Sequence, residues 1–294
     1  MLKKKIYFII NPVSGQGRQN VFEKIIPEFL DLSKYEYYIS YTSESGEATK
    51  LSRNAAEKGD CDIAVAVGGD GSINEVAKGL VNTNIPLGII PCGTGNGLAN
   101  YLGIPFNFKK ALNIINAANV RSIDTATVNE KLFISIAGVG FDAFVAKKFS
   151  KIKTREFWAY LNIVIREYPR YKPEEYIIEI NNTIIKTKAL FVSFANSNQF
   201  GFNATISPSA TINDGLIDVC IFNKAPLIEA PVLAQLLFFR AIDKSRHMEI
   251  IKASEVKLIQ PHNDYIHIDG EPVKLGEELN IKVKPLSLNV IVPF

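Results

Sequence analysis

The stretch "VAVGGDGSINEV", residues 65–76, runs from a β-branched apolar segment through a glycine-rich break into helix-forming residues. An uninterrupted apolar run before such a break suits a strand covered on both faces, and so a parallel sheet. Glycines let backbone N–H groups approach an anion with no Cβ in the way, and the helix that follows offers its positive end. Gly68, Gly69 and Gly71 are therefore candidate phosphate-cradling positions, with Ser72 and Asn74 beside them. Asp70 is the odd member. A carboxylate repels phosphate unless a cation lies between them or unless it takes a proton from a nucleophile, and both roles belong to phosphoryl transfer.

Two similar breaks lie on either side. "KIYFII" (5–10) leads into "NPVSGQGR" (11–18), and "IPLGIIP" (85–91) leads into "CGTGNG" (92–97). In an open parallel sheet, ligands sit beyond the carboxyl ends of the strands, so the three turns are expected along one rim. Ser14, Ser72 and Thr94 add hydroxyl donors there, and Arg18 adds a fixed positive charge. Neither the G-x-x-x-x-G-K-[ST] loop nor a G-x-G-x-x-G turn is present, so neither standard nucleotide fingerprint applies. "NVFEKIIPEFL" has helical spacing, "YEYYISYT" (35–42) reads as a strand, and "SGEATKLSRNAAEKG" (45–59) reads as a helix stopped by Gly59.

The rhythm changes near residue 122. Beyond it, alternating strand-like segments dominate, interrupted by two helical insertions at roughly 141–168 and 226–243. The predicted fold is α/β: a doubly wound parallel-sheet domain at 1–122, then a mainly antiparallel β-sandwich domain at 123–286.

Composition narrows the function classes. A hydrophobic fraction of 47% supports a sizeable core, and a net charge of +3 argues against broad nucleic-acid binding. Cys61, Cys92 and Cys220 have neither metal-like nor disulfide-like spacing, which suits a reducing cytosol. The apolar part of the N-terminus is too short for a signal peptide. "APVLAQLLFFRAI" (230–242) falls short of the roughly 20 residues needed to span a bilayer, so membrane contact is expected to be peripheral. The basic and aromatic stretch 147–172 suits an anionic interface, but a helix packed on the β domain with a solvated charged end is the favoured reading. His262 and His267 read as strand residues rather than as a metal pair.

"NPVSG", "GGDGSINEV", "PCGTGNGLA" and the downstream "DGE", in that order and spacing, resemble the diacylglycerol kinase-like lipid kinases, a family that includes bacterial lipid kinases and the sphingosine and ceramide kinases. The resemblance covers nearly the whole chain. It implies an NAD kinase- or phosphofructokinase-like first domain that uses ATP and Mg²⁺, with the last strand (287–294) returning to that domain. Asn11, Ser14, Gly15, Arg18 and Thr42 would lie near the nucleotide. Gly68 to Asn74, with Thr94 and Asn96, would hold its phosphates. Asp70 would orient Mg–ATP or act as base, and Glu271 in "IDGEPV" would accept the proton of the lipid hydroxyl. In "SPSATINDGLIDV" (207–219), the Asp214 side chain with the carbonyls of Thr211 and Leu216 matches a structural Mg²⁺ site. The alternative for that turn is an Asn-Asp-Gly bend without an ion.

Gly97 and Leu98 follow Asn96 where bacterial members often carry an acidic residue. Diacylglycerol, a sphingoid base, ceramide and phosphatidylglycerol therefore all stay open as substrate. The expected partner is a lipid at a membrane surface, met from the cytoplasm, with a homodimer left open. Two alternatives stand beside this: an NAD-kinase-like enzyme for a soluble substrate, and a non-catalytic nucleotide- or lipid-binding sensor.

Overall fold

The structure, a computed structural model, describes residues 2–14, 18–93, 95–152, 157–201, 204–262 and 265–294. The chain divides into two compact units, residues 1–123 with 286–294 and residues 124–285.

In the first unit, strands β1 (Lys4–Ile10), β2 (Tyr35–Tyr41), β3 (Ile63–Gly68) and β4 (Leu87–Pro91) alternate with helices α1 (Arg18–Phe29), α2 (Glu47–Lys58) and α3 (Asp70–Leu80). The strands pair in parallel in the order β2-β1-β3-β4. Every residue of β3 and β4 is buried, as continuous apolar runs require when helices cover both faces of a sheet. Register places the strand ends together: Ile10 lies beside Tyr41 and Val67, and Gly68 beside Pro91. The loops that leave these ends therefore share one rim.

Gly59 ends α2 in the left-handed region (φ 67°), its N–H returning to the carbonyls of Ala55 and Ala56, so the stop read from the sequence is the observed one. A helix the sequence reading passed over, α5 (Phe108–Ala117), follows the short α4 (Gly97–Tyr101). Asn107 caps it by accepting from the Lys110 N–H. Phe108 then meets Phe22, which meets Phe8, edge to face at 5.5 Å each.

The second unit takes up the chain within β5 (Val120–Val128). There follow β6 (Lys131–Phe133), β7 (Ile136–Gly140), α6 (Phe141–Phe149), α7 (Phe157–Glu167), β8 (Glu174–Ile180), β9 (Thr183–Ala189) and β10 (Phe191–Ala195). Then come β11 (Gln199–Gly201), β12 (Ala204–Thr205), β13 (Ile217–Phe222), α8 (Ala230–Phe238), β14 (Met248–Ala253), β15 (Glu255–Ile259), β16 (Tyr265–Ile268), β17 (Glu271–Lys274) and β18 (Glu278–Ile291).

One antiparallel sheet runs β14-β13-β10-β7-β16-β17, and β18-β15-β8-β9 pair antiparallel in another. Phe133, Tyr176, Phe194, Val219, Leu258 and Ile281 fill the core between them. The helices close the far face of the first sheet through Phe141, Val145, Leu233 and Phe222. This explains why β13 is buried throughout, although antiparallel strands commonly alternate. The end of β18 belongs to the first unit, where Val290 pairs with Leu87.

Candidate active site

The rim loops of the first unit are tied to one another. Asn11, just past β1, donates from Nδ2 to Ser72 Oγ at 3.1 Å, while its Oδ1 accepts from the Val13 N–H. Thr42, just past β2, donates its N–H to the Ile10 carbonyl. Asp70, the first residue of α3, reaches across to the "GTGN" loop. Its Oδ2 accepts from the Asn96 N–H and its Oδ1 from the Gly97 N–H, both at 2.7 Å. A carboxylate on the first amides of a helix satisfies donors that have no intrahelical partner. Asn96 is fully buried at φ 47° and donates from Nδ2 to the Gly93 carbonyl. Glu75, which the sequence reading left out, accepts from the Ser45 hydroxyl and the Gly46 N–H, holding the loop before α2 against α3.

The glycines divide into two kinds. A Cβ on Gly68 would lie 2.5 Å from Ser72 Cβ, one on Gly93 2.7 Å from Gly69 Cα, and one on Gly95 2.6 Å from Asp70 Oδ2. These three are glycines because the protein itself fills the space. A Cβ on Gly71 would meet nothing within 4 Å, so the space beside it is open. Gly68→Ala should therefore lower the thermal midpoint by the equivalent of about 1–3 kcal/mol, the usual cost of overpacking. Gly71→Ala should leave that midpoint nearly unchanged and instead weaken nucleotide binding. Calorimetric melting with and without ATP checks both.

Ser14 Oγ is buried and takes no partner among the described residues. Asn74 is buried in α3. Gly15 and Thr94 lie outside the described residues, as does the side chain of Arg18. The buried Ser14 hydroxyl, the N-terminal end of α3 and the open space beside Gly71 fit a polyphosphate. The Asp70 carboxylate stands at this rim with oxygens of the kind a divalent cation takes.

In the second unit, Asp269 (φ 48°) and Gly270 (φ 84°) make the hairpin between β16 and β17. Two successive positive φ values are those of a type I′ turn. The Asp269 carboxylate accepts from the N–H groups of Ile134, Ser135 and Ile136 at 2.8–3.0 Å, which fastens the tip. Glu271 follows, exposed and opposite Ile268.

Beneath this hairpin lies a buried polar cluster that the sequence did not disclose. His267 Nε2 meets Asp142 Oδ2 at 2.6 Å, and Ser193 donates to the same oxygen at 3.0 Å. Burial works to lower the His267 pKa, but the Asp142 carboxylate, its hydrogen bond and Asp269 more than offset that and raise it above 6.5. A Cβ on Gly138 would lie within 3.0 Å of all three side chains. This pairing accounts for His267 without a metal.

In the turn at 211–216, where the resemblance implies a structural Mg²⁺, the Asp214 carboxylate is met by a lysine. Asp214 Oδ2 is bound to Lys252 Nζ at 3.0 Å, and its Oδ1 accepts from the Leu216 N–H. The Thr211 carbonyl accepts from the Asp214 N–H. Lys252 also reaches Asp218 at 3.3 Å and the Ser209 carbonyl. Its partial burial opposes the charge, but the two carboxylates prevail and raise its pKa above 10.5. The ammonium is thus the counter-charge of Asp214 and Asp218. Chelation with EDTA should leave the melting temperature unchanged, whereas Lys252→Met should lower it, because the buried Asp218 and the partly buried Asp214 lose their counter-charge.

Residues 5–128 match the family described as "Diacylglycerol kinase catalytic domain", and residues 135–292 match the "YegS C-terminal NAD kinase beta sandwich-like domain". The diacylglycerol kinase of Bacillus subtilis (strain 168) is 32% identical over 277 residues, spanning 91% of this chain and 90% of its own. A "Probable lipid kinase YegS-like" protein of Citrobacter koseri is 31% identical over 291 residues, 96% and 94% of the two chains. Among solved structures, a diacylglycerol kinase from Bacillus anthracis str. Sterne superposes with a TM-score of 0.76 at 20% identity over 100% of this chain and 98% of that one. Yeast NADH kinase with NADH follows at 0.53 and 12%, over 99% and 84%; at these identities the likeness is one of fold. With both units matched by family and the sequence relatives spanning almost their full lengths, the chain belongs to the diacylglycerol kinase and YegS family of lipid kinases.

Proposed function

We propose that this kinase transfers the γ-phosphate of ATP to the hydroxyl of a membrane lipid. The observation that carries the reading is the cross-tied rim: Asn11 to Ser72 and Asp70 to Asn96 and Gly97 hold three separate loops in one frame. Such preorganisation is what phosphoryl transfer asks of a protein, since positioning and charge stabilisation supply nearly all of its catalysis. Bound Mg–ATP supplies the phosphoryl group and a cation to neutralise the charge that develops on it. The first-turn amides of α3 bind phosphate oxygens, the Ser14 hydroxyl adds a donor, and Asp70 holds the cation. Glu271 takes the proton of the attacking hydroxyl. Diacylglycerol is the first lipid to test, because it names the Bacillus subtilis relative.

The test is incubation with γ-labelled ATP and a lipid mixture, followed by organic extraction and mass identification. Label in the organic phase on a phosphorylated lipid is the expected result. Label that stays aqueous, or that appears on NAD in a parallel reaction, would overturn the lipid assignment in favour of a soluble acceptor.

A further inference from the structure

We propose that the outer faces of α7 and α8 dock this protein on an anionic phospholipid bilayer. The inference deepens the lipid-kinase reading and rests on it for the choice of a bilayer as occupant; the exposed surface itself is independent of that reading. No residue of α7 is buried, and in α8 Leu233 alone is. Tyr160, Ile163, Val164, Leu236 and Leu237 turn partly toward the core. The opposite sides leave Trp158 (73% exposed), Ile165 (63%), Val232 (56%) and Phe239 (80%) in solvent, with Ile228 (87%) just ahead of α8. Phe157 and Phe238 meet ring to ring at 6.2 Å, so the two helices present one surface rather than scattered side chains. A contiguous apolar patch of this kind marks an interaction site.

Charge selects the occupant. Residues 147–152, 157–172 and 224–246 carry ten Lys or Arg against three Asp or Glu, in a chain with 33 against 30. Two of those three acids are already paired, Glu167 with Lys148 and Glu229 with Arg246. Lys151, Arg166, Arg170, Lys172, Arg240 and Lys244 remain exposed around the patch. Aromatic and aliphatic side chains ringed by cations match the acyl–headgroup boundary of an anionic leaflet. A second copy of the chain fits poorly, because a two-fold contact through this face would set the cations against one another.

Trp158 is the one tryptophan of the 294-residue chain, so intrinsic fluorescence reports on this surface alone. The full-length protein, without nucleotide, is titrated with phosphatidylcholine vesicles and with phosphatidylcholine–phosphatidylserine vesicles. The expected result is a blue shift and co-sedimentation with the anionic vesicles only, reversed by high salt. Val232→Glu with Phe239→Glu should weaken binding by about tenfold or more, as should Lys151→Glu with Lys244→Glu. Circular dichroism of these surface variants should match wild type. No blue shift on anionic vesicles, or wild-type binding by either double variant, would overturn the proposal. So would a dimer that the Val232/Phe239 double variant dissolves while vesicles are ignored. Because binding is read without phosphoryl transfer, its failure is distinct from a failed kinase assay on detergent-dispersed lipid.

Discussion

Asp70→Ala should reduce phosphoryl transfer by at least ~100-fold, the scale on which single preorganised electrostatic groups act. Two losses combine in that variant. The carboxylate that would hold the cation is gone, and the N–H groups of Asn96 and Gly97 lose their acceptor. The second loss alone costs about 1–3 kcal/mol if both amides stay buried without a partner. Asp70→Asn separates the two. Asparagine keeps one carbonyl oxygen for one of the amides but carries no charge. If charge is what matters, Asp70→Asn is as inactive as Asp70→Ala while melting closer to wild type. If Asp70→Asn turns over lipid at the wild-type rate, Asp70 is a tie between loops and not part of the chemistry. Initial rates with labelled ATP, beside calorimetric melting of both variants, decide the matter.

Asp142→Ala should destabilise the second unit by about 3–5 kcal/mol, the usual result of removing one partner from a buried ion pair. It strips His267 of its counter-charge and Ser193 of its acceptor, in a pocket where all three side chains are almost wholly buried. His267→Gln, which keeps a donor of similar reach, should cost less. The pair also makes stability depend on pH. The folded-state pKa of His267 is raised above 6.5. Its contribution is thus fully present below about pH 6.5 and is lost as pH climbs through the folded-state value. The gap in melting temperature between wild type and His267→Gln should therefore narrow from pH 6 to pH 9. A gap that widened instead would mean that His267 is buried neutral. Because Pro272 lies opposite His267, the same variants should slow transfer by loosening the hairpin that carries Glu271.

Much of the site's framework is written in short stretches. The apolar runs ending at Ile10, Val67 and Pro91 and the glycine turns after them follow local rules, as do the Asp-Gly bend at 269–270 and the stop at Gly59. Each depends on residues a few positions apart. What escaped the reading depends on distant partners. Gly68, Gly93 and Gly95 look like ligand-facing glycines in sequence, yet packing against Ser72, Gly69 and Asp70 explains them, while the space beside Gly71 is open. Lys252 sits 38 residues from Asp214, so nothing in "SPSATINDGLIDV" reveals that an ammonium meets the turn. The packed reading favoured for 147–172 gives way only once it is known how little of α7 and α8 the core covers.

Taken alone, the amino-acid order determined the two-part α/β and antiparallel-β plan, the rim loops and the family, because strand burial, turn chemistry and motif spacing are properties of neighbouring residues. The tertiary structure decided which polar groups are spoken for: Asp70 by two amides, His267 by Asp142, Asp214 by Lys252. Partnership of that kind is a matter of distance in space, and only the folded chain brings residues 125 positions apart, as Asp142 and His267 are, to within hydrogen-bond reach.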